Sequence, residues 1–146
     1  ISVTRAIQVL LANGTVTDSD GVPRPVRPED IMVVAPYNLH VQLIASRVPE
    51  GVQVGTVDKF QGREAAVVFY ALATSRGEDA PRGLGFLADR RRLNVAISRA
   101  RALTVLVCSP WILDAPCHSV EDMREINGLC LYVEQASPTP ETWTSV

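Results

Sequence analysis

Four predicted strands, separated by segments of helical periodicity, constrain the fold of this chain most. The first covers residues 31–35 and shows no polar alternation, which is typical of a strand buried on both faces. The others cover residues 52–56, 65–73 and 103–108. Because strands buried on both faces alternate here with helical segments, we predict an α/β fold in which helices cover both faces of a parallel sheet.

The segments before and between the four strands predict helices and one hairpin. Val3, Ile7 and Leu10 recur at helical spacing, and Asn13-Gly14 predicts a left-handed cap at the end of that helix. Two extended runs around a Ser-Asp-Gly turn predict a surface hairpin over residues 15–26. Further helices are predicted around residues 41–48, over residues 88–99 and after a capping box at Ser119 and Asp122.

The length of 146 residues is that of one domain, for which we expect residues 1–136. Residues 74–85 are rich in Gly, Pro and charge and predict a loop, and the Pro- and Thr-containing residues 137–146 predict a flexible tail. The sequence begins at Ile1 within a helical pattern, so we expect it to be part of a longer protein.

The sequence shows no pattern typical of a membrane span, a signal peptide or a metal site. No apolar run reaches the roughly 18 residues of a membrane span, and no signal peptide is recognisable, so we expect a cytoplasmic protein. The three cysteines lack metal-ligand spacing and are expected to be free thiols, and no metal site is predicted.

Basic residues concentrate in one region of the chain. Residues 55–105 contain nine basic and five acidic side chains, whereas residues 111–146 contain one basic and six acidic ones. The basic region suits a phosphate-rich partner, and an ordinary solvated surface is the alternative. Two polar segments lie in it. Residues 56–64 follow the second predicted strand, at a carboxyl end where functional loops are expected, and residues 92–101 lie largely on the predicted helix before the last strand.

Arg99 follows a predicted helix and is one of five arginines in residues 90–101. A guanidinium that faces a neighbouring domain can stabilise the charge on a transferring phosphoryl group, and a surface salt bridge is the alternative.

The segment before the third strand offers further polar groups. Gly62 allows close approach of backbone N–H groups to a phosphate, Gln61 can bond a phosphate or an attacking water, and Glu64 can accept from ribose hydroxyls. A capped surface turn is the alternative for this segment. Tyr37, just after the first strand, suits either stacking on a base or packing at the surface.

Together these segments resemble the second RecA-like domain of a superfamily 1 helicase, in the branch of nuclease-fused and RNA-decay helicases. Residues 33–38 are similar to motif IV, residues 54–64 to motif V and residues 93–101 to motif VI. The extension through Val107-Cys108-Ser109-Pro110 resembles bacterial helicases that carry a RecB-like nuclease region at their other end.

The resemblance implies a RecA-like fold and half of a nucleotide site. ATP and Mg²⁺ would bind between this domain and an N-terminal RecA-like domain of the same polypeptide, with Arg99 as the arginine finger. Gly62 and Glu64 are implied at the γ-phosphate and ribose side, and Tyr37 near the base. The nucleic acid, single-stranded or duplex DNA or else RNA, is implied to contact Thr56, Asp58 and Lys59.

Two observations qualify the resemblance. His40 and Val41 stand where related motifs often carry Gln and Arg. Lys59 is the only lysine and does not follow a glycine-rich loop, so these residues contain no Walker A site. We therefore expect the C-terminal motor half of an ATP-dependent DNA helicase, with a role in DNA repair, that is inactive in isolation. A non-catalytic binding module and a self-contained small-molecule enzyme are the alternatives.

Overall fold

The computed structural model describes residues 2–72 and 82–144. Strands β1 (Thr15–Thr17) and β2 (Pro23–Pro25) form an antiparallel hairpin. The main sheet has the order β4-β3-β5-β6, and all its neighbouring strands are parallel. Its strands are β3 (Ile31–Val34), β4 (Gln53–Gly55), β5 (Ala65–Ala71) and β6 (Ala100–Val107). The predicted α/β fold with a parallel sheet is confirmed.

Helices cover both faces of this sheet. One face packs against α1 (Val3–Asn13) and α2 (Asn38–Ala45). The other packs against α3 (Leu84–Leu87), α4 (Arg90–Ser98) and α5 (Val120–Gln135). None of the helices in residues 2–72 and 82–144 combines the length and the apolar composition that a membrane span needs.

The contiguous apolar runs are explained by burial on both faces of the central strands. Every residue of β3 and β5 is buried. Because successive side chains of a strand point to opposite faces, Met32 and Val34 enter one apolar cluster, while Ile31 and Val33 enter the other. Strand β6 lies at the edge of the sheet and is correspondingly more exposed.

The backbone conformation of Gly14 differs from the predicted left-handed cap. Its φ of −77° is extended, and its amide donates to the carbonyl oxygen of Leu10 at 2.7 Å. A Cβ at this position would lie 2.5 Å from the same oxygen and 3.1 Å from Cγ2 of Val26. Glycine is therefore required here for close packing and not for a positive φ.

Three other local predictions need correction. Helix α3 begins at Leu84, within the predicted loop of residues 74–85, and ends at Leu87, while residues 73–81 fall outside the described part of the chain. Ser119 Oγ accepts from the amide of Asp122 at 3.0 Å, but the Asp122 carboxylate accepts from His118 and does not complete a capping box. The segment predicted as a flexible tail contains a short helix, α6 (Glu141–Thr144), whose Trp143 packs against the cluster formed with α1.

Candidate nucleotide and nucleic-acid edges

The predicted site residues divide between two opposite edges of the sheet. We call the edge where β3 to β6 begin the amino edge, and the edge where they end the carboxyl edge. Residues 56–64 run from the end of β4 to the start of β5, so Thr56 lies at the carboxyl edge and Glu64 at the amino edge. Arg99, directly before β6, also lies at the amino edge. Thr56 follows the second predicted strand as expected, whereas Glu64 reaches the amino edge because a connection between parallel strands must return to the opposite edge.

The amino edge brings the turn before β5 together with Arg99. The amide of Ala65 donates to the carbonyl oxygen of Arg99 at 3.0 Å, which ties the start of β5 to the end of α4. Gly62 has a φ of +75°, a left-handed conformation that favours glycine. Gln61 and Glu64 flank it and are exposed. The predicted γ-phosphate and ribose groups therefore share one edge with the predicted arginine finger.

The guanidinium of Arg99 has an unsatisfied donor. Arg99 is half-buried, and within the described part of the chain its buried Nε has no hydrogen-bond partner. Neighbouring arginines do pair with carboxylates, Arg90 with Glu125 at 3.6 Å and Arg101 with Asp18 at 4.0 Å. No such pair forms for Arg99 among the described residues. Arg99 therefore has no competing carboxylate among the described residues, whereas its buried Nε could reach an anion from outside the domain only after the side chain rearranges.

A bulge and an ion-pair network surround this edge. Ala65 pairs with Ala100 but Val67 pairs with Leu103, so β6 contains one extra residue between Ala100 and Leu103. Close by, Asp18 accepts from Arg24 at 2.7 Å, and the same guanidinium donates to both oxygens of Asp30. The network fixes the β1–β2 hairpin against the start of β3.

Asp30 is the buried centre of that network and was not singled out by the sequence. It is 6% exposed, and its carboxylate also accepts from the amide of Arg27 at 2.8 Å. The hydrogen bonds from Arg24 lower the pKa of Asp30, and they outweigh the effect of burial. The position of Asp30 directly before a buried strand was the available signal, but the sequence does not identify which arginine pairs with it.

At the carboxyl edge, Tyr37 stacks on Phe86 with ring centroids 5.5 Å apart and an interplanar angle of 27°. The guanidinium carbons of Arg92 and Arg82 lie 3.8 Å and 4.0 Å from the centroid of Phe86. The sequence prediction did not include Phe86 and did not distinguish Arg92 from the arginines beside it. The apolar spacing of Leu84 and Leu87 within the predicted loop was the signal for this element.

The predicted nucleic-acid residues follow β4 at the same edge. Thr56 is half-buried and precedes the 3-10 turn Val57–Phe60, which Val57 and Phe60 anchor in the core. Asp58 is exposed. The ammonium of Lys59 donates to the carbonyl oxygen of Val54 at 2.8 Å, so its charge is held against the end of β4.

The predicted site residues at the amino edge are far from those at the carboxyl edge. Strand β5 spans Ala65–Ala71, which at the usual rise per residue places the edges about 20 Å apart. The structure therefore brings Gln61, Gly62, Glu64 and Arg99 together and separates them from Tyr37. His40, in the first turn of α2, is half-buried, and burial lowers its pKa.

Comparison with known proteins gives the family of this chain. The AAA domain family matches residues 2–110. The chain belongs to the AAA domain family. Every predicted site residue of this AAA domain lies inside the matched range, whereas α5 and α6 lie outside it.

Relatives of this AAA domain are helicase-family proteins. It is 40% identical over 89 residues to DNA-binding protein SMUBP-2 of Rattus norvegicus, over 57% of this chain and 8% of that protein. It is 47% identical over 76 residues to DNA polymerase alpha-associated DNA helicase A of Schizosaccharomyces pombe, over 50% of this chain and 11% of that protein. It is 39% identical over 95 residues to DNA replication ATP-dependent helicase/nuclease DNA2 of Bos taurus, over 62% of this chain and 9% of that protein. The AAA domain is thus homologous to superfamily 1 helicases and matches about a tenth of their length.

The residues of this AAA domain fit part of a nucleotide site. Arg99 at the amino edge forms no ion pair with a carboxylate of the described residues, which leaves its charge for a phosphate oxygen. A phosphate loop is absent from the sequence, and the only lysine is engaged with Val54. These residues can therefore approach a bound triphosphate but cannot enclose it.

Proposed function

We propose that this AAA domain is the C-terminal motor domain of an ATP-dependent DNA helicase, in the branch whose members carry a RecB-like nuclease region. Residues 1–136 would form the domain. The order of motifs IV, V and VI and the homology to superfamily 1 helicases support this placement. The observation that carries it is the position of Arg99 at the amino edge, without an ion pair to the described residues and beside the turn of Gly62 and Glu64.

In this proposal the amino edge closes over ATP and Mg²⁺ held by an N-terminal RecA-like domain of the same polypeptide. ATP supplies the phosphoryl group whose hydrolysis drives opening and closing of the cleft. Arg99 donates to the oxygens of the transferring phosphoryl group, and Gln61 orients the attacking water. Gly62 allows close backbone approach, and Glu64 accepts from the ribose.

The carboxyl edge forms part of the track for the nucleic acid. Thr56 contacts its backbone, Lys59 contributes positive charge close to the end of β4, and Asp58 lies in the connection that leads from this edge to Gly62. The single connection between β4 and β5 thus reaches both edges. Because the chain has no phosphate loop, we expect the isolated domain to hydrolyse no ATP.

The experiment compares Arg99→Ala with Arg91→Ala in the full-length protein. Arg91 is an exposed arginine of the same helix and provides the matched control. Arg99→Ala should reduce ATP turnover by about 10³-fold or more, while nucleotide affinity changes only a few-fold. Near-normal turnover would remove Arg99 from the site.

Two other outcomes would favour the alternatives. A full-length protein that binds nucleic acid but turns over no ATP would be a non-catalytic binding module. Micromolar ATP binding by the isolated domain would indicate a self-contained nucleotide site. Both outcomes are measurable with the wild-type sequence, before any substitution is interpreted.

A further inference from the structure

A chain of ion pairs crosses the amino edge of the sheet from β3 to β6. The guanidinium of Arg24, on β2, donates to the two oxygens of Asp30 at 2.7 and 2.8 Å and, through Nε, to Asp18 at 2.7 Å. The other oxygen of Asp18 lies 4.0 Å from Nη1 of Arg101, in β6. Asp30 is buried directly before β3, so one end of this chain is fixed, and its other end reaches the strand that follows Arg99.

The register of the sheet explains why the β1–β2 hairpin can make this bridge. Asp30 lies level with Ala66 of β5, because the next residues of the two strands are paired. On the other side of β5, the bulge sets Arg101 and Ala102 opposite the same alanine. The two carboxylate-bearing ends of the network are therefore separated by two strand spacings, about 10 Å, and the side chains of the hairpin fill this gap.

The bulge makes the conformation of Arg101 depend on this side-chain contact. In a bulge two residues face one on the partner strand, and the regular hydrogen-bond ladder does not hold the extra residue. The hydrogen bond from Arg24 is the largest cause of the lowered pKa of Asp30, and the charge of Arg101 contributes to it as well. Two carboxylates, those of Asp18 and Asp30, thus attract the side chain of Arg101 to the hairpin.

We propose that Asp18 is a positioning residue for Arg99 and acts through Arg101. This inference rests on the proposed function, in which Arg99 donates to the transferring phosphoryl group. The backbone of Arg99 is held on one side by α4, where its amide donates to Ala96 at 3.2 Å, and on the other by the bond from Ala65 to its carbonyl oxygen at 3.0 Å.

The bulge begins directly after these two bonds. By holding Arg101, Asp18 fixes the backbone that continues from Arg99, and with it the direction in which the guanidinium of Arg99 projects. A small misplacement of a group that contacts the transition state lowers the rate much more than it lowers substrate affinity. The hairpin therefore contributes to ATP hydrolysis without contacting ATP.

The test compares ATP turnover of Asp18→Asn and Asp20→Asn in the full-length protein. Asparagine keeps an acceptor for Arg24 but loses the charge that attracts Arg101. Asp20 lies in the same hairpin turn and accepts from the amide of Val22 at 3.0 Å, which an asparagine oxygen can also do, so it provides the matched control.

Asp18→Asn should lower kcat about tenfold and leave the KM for ATP within about twofold of the wild-type value. Asp20→Asn should change neither quantity. Asp18→Glu keeps the carboxylate and should recover most of the lost kcat. A wild-type kcat in Asp18→Asn, or an equal loss in Asp20→Asn, would overturn the proposal.

Double variants test whether Asp18 acts through the two arginines. Arg101→Gln should lower kcat by the same factor as Asp18→Asn, and the two changes together should cause no further loss. Asp18→Asn should also add nothing to the loss caused by Arg99→Ala. A much larger loss in Arg101→Gln than in Asp18→Asn would mean that Arg101 contacts the phosphate itself, and it would refute the positioning role.

A purely structural role of the ion pairs gives a different result. Asp18→Asn would then lower the unfolding midpoint and leave kcat unchanged well below that midpoint, which refutes the proposal. Failure of the proposed function is also distinguishable. A wild-type protein without ATP turnover refutes both, whereas wild-type turnover together with an unaltered kcat in Asp18→Asn refutes this inference alone.

Discussion

The amide of Ala65 and the carbonyl oxygen of Arg99 are joined by a hydrogen bond of 3.0 Å. This bond links the turn that resembles motif V to the helix end that resembles motif VI. It involves only backbone atoms, so it positions Arg99 without using its side chain. The guanidinium is therefore available for a ligand, and its removal should leave the fold unchanged.

The first prediction concerns Arg99→Met. Because Nε is buried without a partner among the described residues, its loss should leave the free energy of unfolding within about 0.5 kcal/mol of the wild-type value, or raise it. Urea titration of the domain measures this. A clear destabilisation would show that the guanidinium has a structural partner. Arg24→Met, which breaks the bonds to Asp18 and Asp30, should destabilise in the same assay.

The second prediction concerns acid stability. Arg24 holds the pKa of Asp30 below its usual range, so the carboxylate stabilises the fold above the unfolded value of about 3.9. That contribution is lost as the pH falls through the lower pKa of the folded state. Asp30→Asn should therefore be less stable at pH 7 and show a shallower decrease in unfolding free energy between about pH 4 and pH 2. Parallel acid profiles for the two proteins would contradict the assignment.

Tyr70 provides a third prediction. Its side chain is buried in the central strand, its hydroxyl has no hydrogen-bond partner in the described part of the chain, and burial raises its pKa. Tyr70→Phe should leave stability unchanged or raise it by about 1 kcal/mol, because it removes an unsatisfied polar atom. Thermal unfolding measures the change, with the half-buried Tyr132→Phe as the comparison. A large loss would mean that the hydroxyl is bonded in solution.

The fourth prediction tests the cap of α5. Ser119 Oγ accepts from the amide of Asp122 at 3.0 Å, and its loss should cost about 1 kcal/mol. Ser119→Ala is compared with Ser137→Ala, a change at an exposed serine outside any helix. Urea midpoints at constant m-value report the difference. Equal midpoints would show that the cap does not contribute.

The sheet was predictable because strands that are buried on both faces consist of continuous apolar residues. Residues 31–34 and 65–71 are wholly apolar, and both became central strands. The local turns were less predictable, since several conformations satisfy the same residues. Gly14 illustrates this: the sequence indicates a glycine after a helix, but not whether φ or close packing requires it.

The division of the site into two edges follows from the predicted parallel sheet, because residues 56–64 must return from the end of one strand to the start of the next. By contrast, nothing in the sequence distinguishes Arg92, which stacks on Phe86, from Arg91, which is exposed. Such differences depend on which side of α4 meets the core, and that is set by the packing of Leu93 and Ala96.

Helix α4 carries one arginine at each edge of the sheet. Arg92 in its first turn supports the ring of Phe86, and Arg99 directly follows its last residue. Nine residues make a rod about 13 Å long, so a tilt of about 10° moves one end by about 2 Å relative to the other. A tilt of α4 would therefore shift Arg92 at the carboxyl edge and Arg99 at the amino edge together.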